Sequence, residues 1–222
     1  MILQPGENPT KRVVVTGGPA AGKTTALRHL ERRFTEVCTV VPESATILYS
    51  GGFVRSPEAE VVMSAQRAIF AIQKSLENSF AHLHPNKWLI CDRGTADGAV
   101  YWPMGEAAFF REFETSLERE LEHYDAVVFF ESSAVFDFKG MTGNRVRSEN
   151  RDEALRLDEK LRRIYEKHPQ FHFIAHERDF KKKVSASLRV FENLFERAEL
   201  ETPTLNIPPV SPSLRDYVSP PL

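Results

Sequence analysis

The sequence predicts an α/β protein: a five-stranded parallel sheet with helices on both faces. Five short apolar runs, at 12–16, 38–41, 87–91, 126–130 and 171–175, recur along the chain. Each is followed by a stretch with helical spacing, and the runs are continuous rather than alternating, as in strands buried on both sides. The first run also leads straight into a glycine-rich turn and a helix start, "VVVTGGPAAGKTT". At 222 residues the chain suits one domain with a single substantial core.

The segments between the runs justify the helices in order. After the loop at 17–25 and the second run, Val62, Ala65, Ile69, Ile72, Leu76 and Phe80 step by three or four. Phe110, Phe113, Leu117, Leu121 and Tyr124 form a second stripe, and Ala154, Leu157, Leu161 and Ile164 a third, which His168-Pro169 stops. Val184, Leu188, Phe191 and Phe195 form the last. All four read as core-facing. Lys181 to Lys183 read as the solvated start of the last helix. Past Glu199 six of the 14 prolines crowd into the final residues, and such a tail neither pairs into a sheet nor continues a helix. The expected division is a folded unit at 1–199 and a tail at 200–222.

Composition narrows the function. The 29 basic and 31 acidic side chains leave a formal charge of −2 without a long basic stripe, which argues against a nucleic-acid partner. Cys38 and Cys91 each sit in an apolar run and read as reduced thiols, placing the chain in the cytoplasm. The start "MILQPGENPTKR" is too short and polar for a signal peptide, and no apolar run approaches a membrane span.

Gly17, four residues, Gly22, Lys23 and Thr24 match the Walker A pattern, with a strand before and a helix after. Glycines let the backbone curl so that the N–H groups of Gly17, Gly18, Ala20, Ala21 and Gly22, with Pro19 shaping the turn, converge on phosphate oxygens at a helix N-terminus. Lys23 is expected on the β- and γ-phosphates, Thr24 on Mg²⁺, and Thr25 on the α-phosphate side.

Ligands bind open α/β sheets beyond the carboxyl ends of the strands. Three acids stand there: Glu43 in "VVPES", Asp92 in "WLICDRG" and Glu131 in "VVFFES". "WLICD" and "VVFFE" both have the Walker B shape of apolar residues ending in an acid. Asp92 is preferred as the metal-side acid because Arg93 adds a cation beside it, although an Asp-Arg pair can also simply cap a strand. Glu43 is a candidate general base across the phosphate site, or an exposed strand-end acid. Arg145, Arg147 and Arg151 precede a helix and read as a lid over a nucleotide or as a solvated turn paired to neighbouring acids. His176, in "AHERDF", is a candidate base contact or a turn residue.

Taken together, "GGPAAGKTT", "VVPESAT", "CDRGTADG" and "NRVRSENRDEALRLD" resemble the small P-loop ATPase domains grouped as an AAA-like ATP-binding family. They are similar in turn to the ribosylnicotinamide kinase domain of the NAD-biosynthesis regulator and, more remotely, to deoxynucleoside and thymidylate kinases. The resemblance covers about residues 10–197 and implies a three-layer α/β/α nucleotide-kinase-like fold. It implies ATP and Mg²⁺ as cofactors, a catalytic glutamate matching Glu43, and an acid-Arg-Ser motif that here reads Asp92-Arg93-Gly94. The lid arginines of those kinases match Arg145, Arg147 and Arg151 in character. No stretch reproduces a known acceptor pocket, though Phe53, Gln66, Phe70, Tyr101 and Trp102 are candidates to line one. Length without a helical lid domain argues against a ring motor.

The expected activity is therefore phosphoryl transfer from a nucleoside triphosphate to an unidentified small molecule, nucleoside-like in class, with a homodimer as the assembly option. The alternative is a nucleotide-binding switch or slow NTPase that signals to a protein partner through its lid or tail.

Overall fold

In a computed structural model of the protein, residues 10–135 and 151–201 are described. Five strands, β1 (Arg12–Thr16), β2 (Cys38–Val41), β3 (Trp88–Asp92), β4 (Ala126–Phe130) and β5 (Phe171–Ile174), form one sheet in the order β2-β3-β1-β4-β5. Every pairing is parallel, and Val13 stands opposite Ile90 on one side and Ala126 on the other. The α-helices are α1 (Lys23–Arg33), α2 (Ser44–Ser50), α3 (Ala59–Leu83), α4 (Glu106–Glu112), α5 (Leu117–Glu122), α6 (Arg151–Tyr165) and α7 (Phe180–Glu201). A 3₁₀ stretch spans Thr95–Tyr101.

The strands read as continuous hydrophobics because each face of the sheet is covered. Val14, Leu89, Cys91, Val127 and Phe129 enter one apolar cluster with Leu157, Leu161 and Ile164 of α6. Val13, Val15, Ile90, Val128 and Phe130 enter another with Leu27 and Leu30 of α1 and Phe191 of α7. Successive β1 side chains thus alternate between two cores, which makes the fold a three-layer α/β/α sandwich. Because β1 lies between β3 and β4, the loop after β1 opens where strand order reverses, flanked by the ends of both neighbours.

The third run is shifted by one residue, so that Asp92 itself belongs to β3. The stripe from Phe110 to Tyr124 breaks into α4 and α5. Glu114 takes a positive φ of 50°, and the Ser116 hydroxyl accepts the Arg119 N–H to start a new helix. In α3 the fully buried positions are Ala65, Gln66, Gln73 and Glu77, while Ile69 and Ile72 of the apolar stripe are half-buried. The inner face of α3 lies over backbone that needs polar partners. Gln73 Nε2 donates to the Arg93 carbonyl at 3.1 Å, and Glu77 Oε1 accepts from the Tyr124 hydroxyl at 3.0 Å.

The lysine run is also not uniformly solvated. Lys183 is buried and donates to the Glu131 carbonyl at 2.6 Å, because α7 begins against the end of β4. Both cysteines are free and buried, and burial pushes the Cys38 thiol up to about 12. Among the described residues no helix is long and apolar enough to cross a membrane.

Candidate active site

The loop from Gly17 to Thr25 takes a shape that needs its glycines at two positions, while Ala20 also adopts a positive φ of 56°. Gly17 has φ 134°, and a Cβ there would stand 2.0 Å from the Phe130 carbonyl oxygen. Gly22 turns into α1 at φ 85°. With no side-chain cap and no acid in its first turn, α1 leaves N–H groups for an external anion. Lys23 is buried and lies back along the loop, donating to the Gly17 and Gly18 carbonyls at 2.8 and 2.9 Å.

Four successive loop residues are tied to the scaffold. Arg93 Nη1 donates to the Gly17 carbonyl at 2.8 Å, the Gly18 N–H to Asp158 Oδ1 at 2.7 Å, the Ser132 hydroxyl to the Pro19 carbonyl at 2.6 Å and the Ser133 hydroxyl to the Ala20 carbonyl at 3.0 Å. The sequence reading did not single out Ser132, Ser133 or Asp158. Asp158 had a readable signal: it sits within the apolar stripe Ala154, Leu157, Leu161, and is itself buried.

Asp92 ends β3 at 7% exposure, and among the described residues its Oδ1 has no hydrogen-bond partner. Burial first, then repulsion from Glu43, pushes its pKa up to about 6, partly offset by Lys23 and Arg93. Glu43 precedes α2, its Oε1 accepting from Arg93 Nε at 3.3 Å and its Oε2 from the Thr46 hydroxyl. Thr24, Glu43 and Asp92 line one cleft of about 250 Å³, together with Leu27, Pro42 and Ile47. The rival acid is differently placed: Glu131 Oε2 accepts the His176 N–H at 2.7 Å. That contact puts His176 in the turn after β5, where burial and then Lys183 push its imidazole down.

Arg93 is a buried hub held at a positive φ of 80°. Burial opposes its charge, yet Tyr101 and the carboxylates of Asp97, Glu43 and Asp92 hold its pKa above the ordinary value. Asp97, another residue the sequence reading did not isolate, accepts from Arg93 Nη1 (3.0 Å), the Thr16 hydroxyl (2.9 Å), the Gly94 N–H (3.1 Å) and the Tyr165 hydroxyl (2.6 Å). Gly94, where the related kinase motif has serine, packs so closely that a Cβ would lie 2.3 Å from the Tyr165 hydroxyl.

Other sequence candidates fall elsewhere. Arg145 and Arg147 lie outside the described residues, and Arg151 opens α6. Trp102 packs into the core against Phe109 and Phe113, and Phe70 stacks on Phe113 at 4.0 Å. Phe53 stands edge-on to Tyr49 beyond α2, and Gln66 is buried in α3.

Among the described residues no three His, Cys, Asp or Glu side chains converge to cage a metal. Asp92, a buried carboxylate whose Oδ1 takes no hydrogen bond among the described residues, lines the same cleft as Thr24, and this pair nonetheless fits a Mg²⁺ whose remaining ligands come from phosphate and water.

A Walker A loop at the switch point of a parallel sheet in this order defines a P-loop protein of kinase-like fold. A family model described as an AAA domain matches residues 12–183, and the chain belongs to that family. Among solved structures, deoxyadenosine kinase from M. mycoides with bound dATP is similar at a TM-score of 0.58 and 12% identity, over 82% of this chain and 99% of that one. Thymidylate kinase from Ehrlichia chaffeensis is similar at a TM-score of 0.55 and 16% identity, over 83% of this chain and 100% of that one. No curated protein sequence matches the chain.

Proposed function

We propose that the protein is an ATP- and Mg²⁺-dependent phosphotransferase acting on the hydroxyl of a small, nucleoside-like molecule. The single observation that carries this reading is that Thr24 of the Walker A loop, Glu43 and the buried carboxylate Asp92 line one cleft. The kinases that share the fold, one of them with bound dATP, support the choice of substrate class.

In this mechanism the loop amides and the N-terminus of α1 hold the phosphate chain. Lys23 exchanges the carbonyls of Gly17 and Gly18 for β- and γ-phosphate oxygens. Thr24 and Asp92 would hold Mg²⁺, which neutralises phosphate charge when bound. Glu43 accepts the acceptor's hydroxyl proton as that oxygen bonds to the γ-phosphorus, and the β–γ bridging oxygen leaves with ADP. Arg93 locks the loop to Glu43 through Gly17. Thr25 contacts the α-phosphate, His176 flanks the base, and Arg145, Arg147 and Arg151 add positive charge where the transition state spreads its negative charge. Two buried free thiols support a reducing cytoplasm as the working compartment.

Glu43→Gln tests this assignment. ATP affinity is expected to stay within about threefold of wild type while phosphoryl transfer falls by about 10²–10⁴. Retained transfer removes Glu43 from the chemistry.

A further inference from the structure

Asp158 places a carboxylate directly on the phosphate loop. Its Oδ1 accepts two backbone N–H groups, that of Gly18 in the loop at 2.7 Å and that of Ser132 after β4 at 3.1 Å. The contact is built from both sides. A Cβ on residue 18 would lie 2.5 Å from that oxygen, so the glycine is what admits the acid. Asp158 is 7% exposed, and among the described residues its Oδ2 takes no hydrogen bond.

We propose that Asp158 is a positioning residue that shapes the loop through the acceptor capacity of Oδ1 alone, while its negative charge weakens the binding of a phosphate chain. The two roles sit on one group but separate chemically. Both hydrogen bonds need an sp² oxygen, which an amide also supplies as a neutral and weaker acceptor. The charge, close to an anion-binding loop in a partly desolvated place, repels an incoming polyphosphate. Burial, the largest influence, already pushes the Asp158 pKa up, against the N–H groups of Gly18 and Ser132, which lower it. Protonation at Oδ2 leaves both Oδ1 contacts intact. Lys23 from the loop, Glu131 from the end of β4 and Lys183 from α7 are the other titratable groups that act on it.

This inference rests on the proposed nucleotide site. The test is ATP titration of the full chain in EDTA, which keeps metal binding at Asp92 out of the measurement, for wild type, Asp158→Asn and Asp158→Ala at several pH values. Thermal unfolding confirms that each variant folds. At pH 7.5 the Asn variant is expected to bind several-fold tighter than wild type, and the Ala variant about tenfold weaker because two N–H groups lose their acceptor.

A carboxyl is neutralised as pH falls through its pKa. The advantage of Asp158→Asn over wild type should therefore shrink as pH falls below 7, a comparison in which titration of ATP itself cancels and in which Lys183, whose ammonium the Asp158 charge supports and whose pKa is about 8, stays protonated. Wild-type binding with Asp158→Asn no tighter than Asp158→Ala overturns the inference alone, as does an Asn advantage that does not change with pH. A wild-type chain that binds no ATP overturns the nucleotide reading and this inference with it.

Discussion

Asp92 carries the clearest conflict between stability and the role proposed for it. Its pKa of about 6 means that folding binds its proton more tightly than the unfolded chain does. That contribution favours the native state below about pH 4 and declines as pH climbs through 6. Asp92→Asn should therefore raise the melting temperature of the nucleotide-free protein at pH 8, on the order of 5 °C, with the gain vanishing near pH 4. The same variant should lose the Mg²⁺ dependence of ATP affinity, and in wild type that dependence should fade below pH 6 as the carboxyl takes its proton. A nucleotide-free Asp92→Asn protein less stable than wild type at pH 8 contradicts the assignment.

Gly94 supplies a second test at this scale. The serine of the related kinase motif would press on the Tyr165 hydroxyl, so Gly94→Ser should cost about 2 kcal/mol or more, and distinctly less in a Tyr165→Phe background. Equal costs in both backgrounds would dissociate the glycine from that contact. The placement of single residues was legible where it follows a pattern: Lys23 along the loop, and Thr24, Glu43 and Asp92 around one cleft, follow from loop spacing and strand-end position. That of Asp97 and Asp158 was not, because their partners depend on which groups the tertiary fold brings to them. Asp158 falls within the spacing of an apolar stripe, which marks it as inward-facing without saying what it meets.

At the scale of elements, all five strands were readable because burial on both faces of a parallel sheet makes each a continuous apolar run. The helices were less so. An apolar spacing of three or four continues through the junction of α4 and α5, whereas the chain itself is turned by Glu114 and restarted by the Ser116 cap. Ser116→Ala should remove that restart and cost about 1 kcal/mol in denaturant unfolding; a change under about 0.3 kcal/mol would show the junction held by packing alone. The polar inner face of α3 was hidden for a related reason. Gln66, Gln73 and Glu77 follow helical spacing like their apolar neighbours, and only the tertiary partners, the Arg93 carbonyl for Gln73 and the Tyr124 hydroxyl for Glu77, explain why those two polar groups are buried there.

For the molecule as a whole, strand order places the loop after β1 between β3 and β4, so Glu43 after β2 and Asp92 at the end of β3 line a cleft with Thr24 on one side while α6 and the residues after β4 brace the loop from the other. The family match from residue 12 to 183 stops short of the proline-rich tail. We expect removal of residues 202–222 to leave ATP affinity and phosphoryl transfer within about twofold; loss of a protein partner with unchanged nucleotide affinity would favour a signalling role instead. The central claim is that this cleft moves a phosphoryl group to another molecule rather than only to water. γ-Phosphate-labelled ATP, incubated with the full chain and a panel of nucleosides, nucleotides and sugars, tests it most directly. Label is expected on at least one acceptor, with ADP release well above the rate in water alone. An identical rate across the panel, with all label in inorganic phosphate, would contradict it.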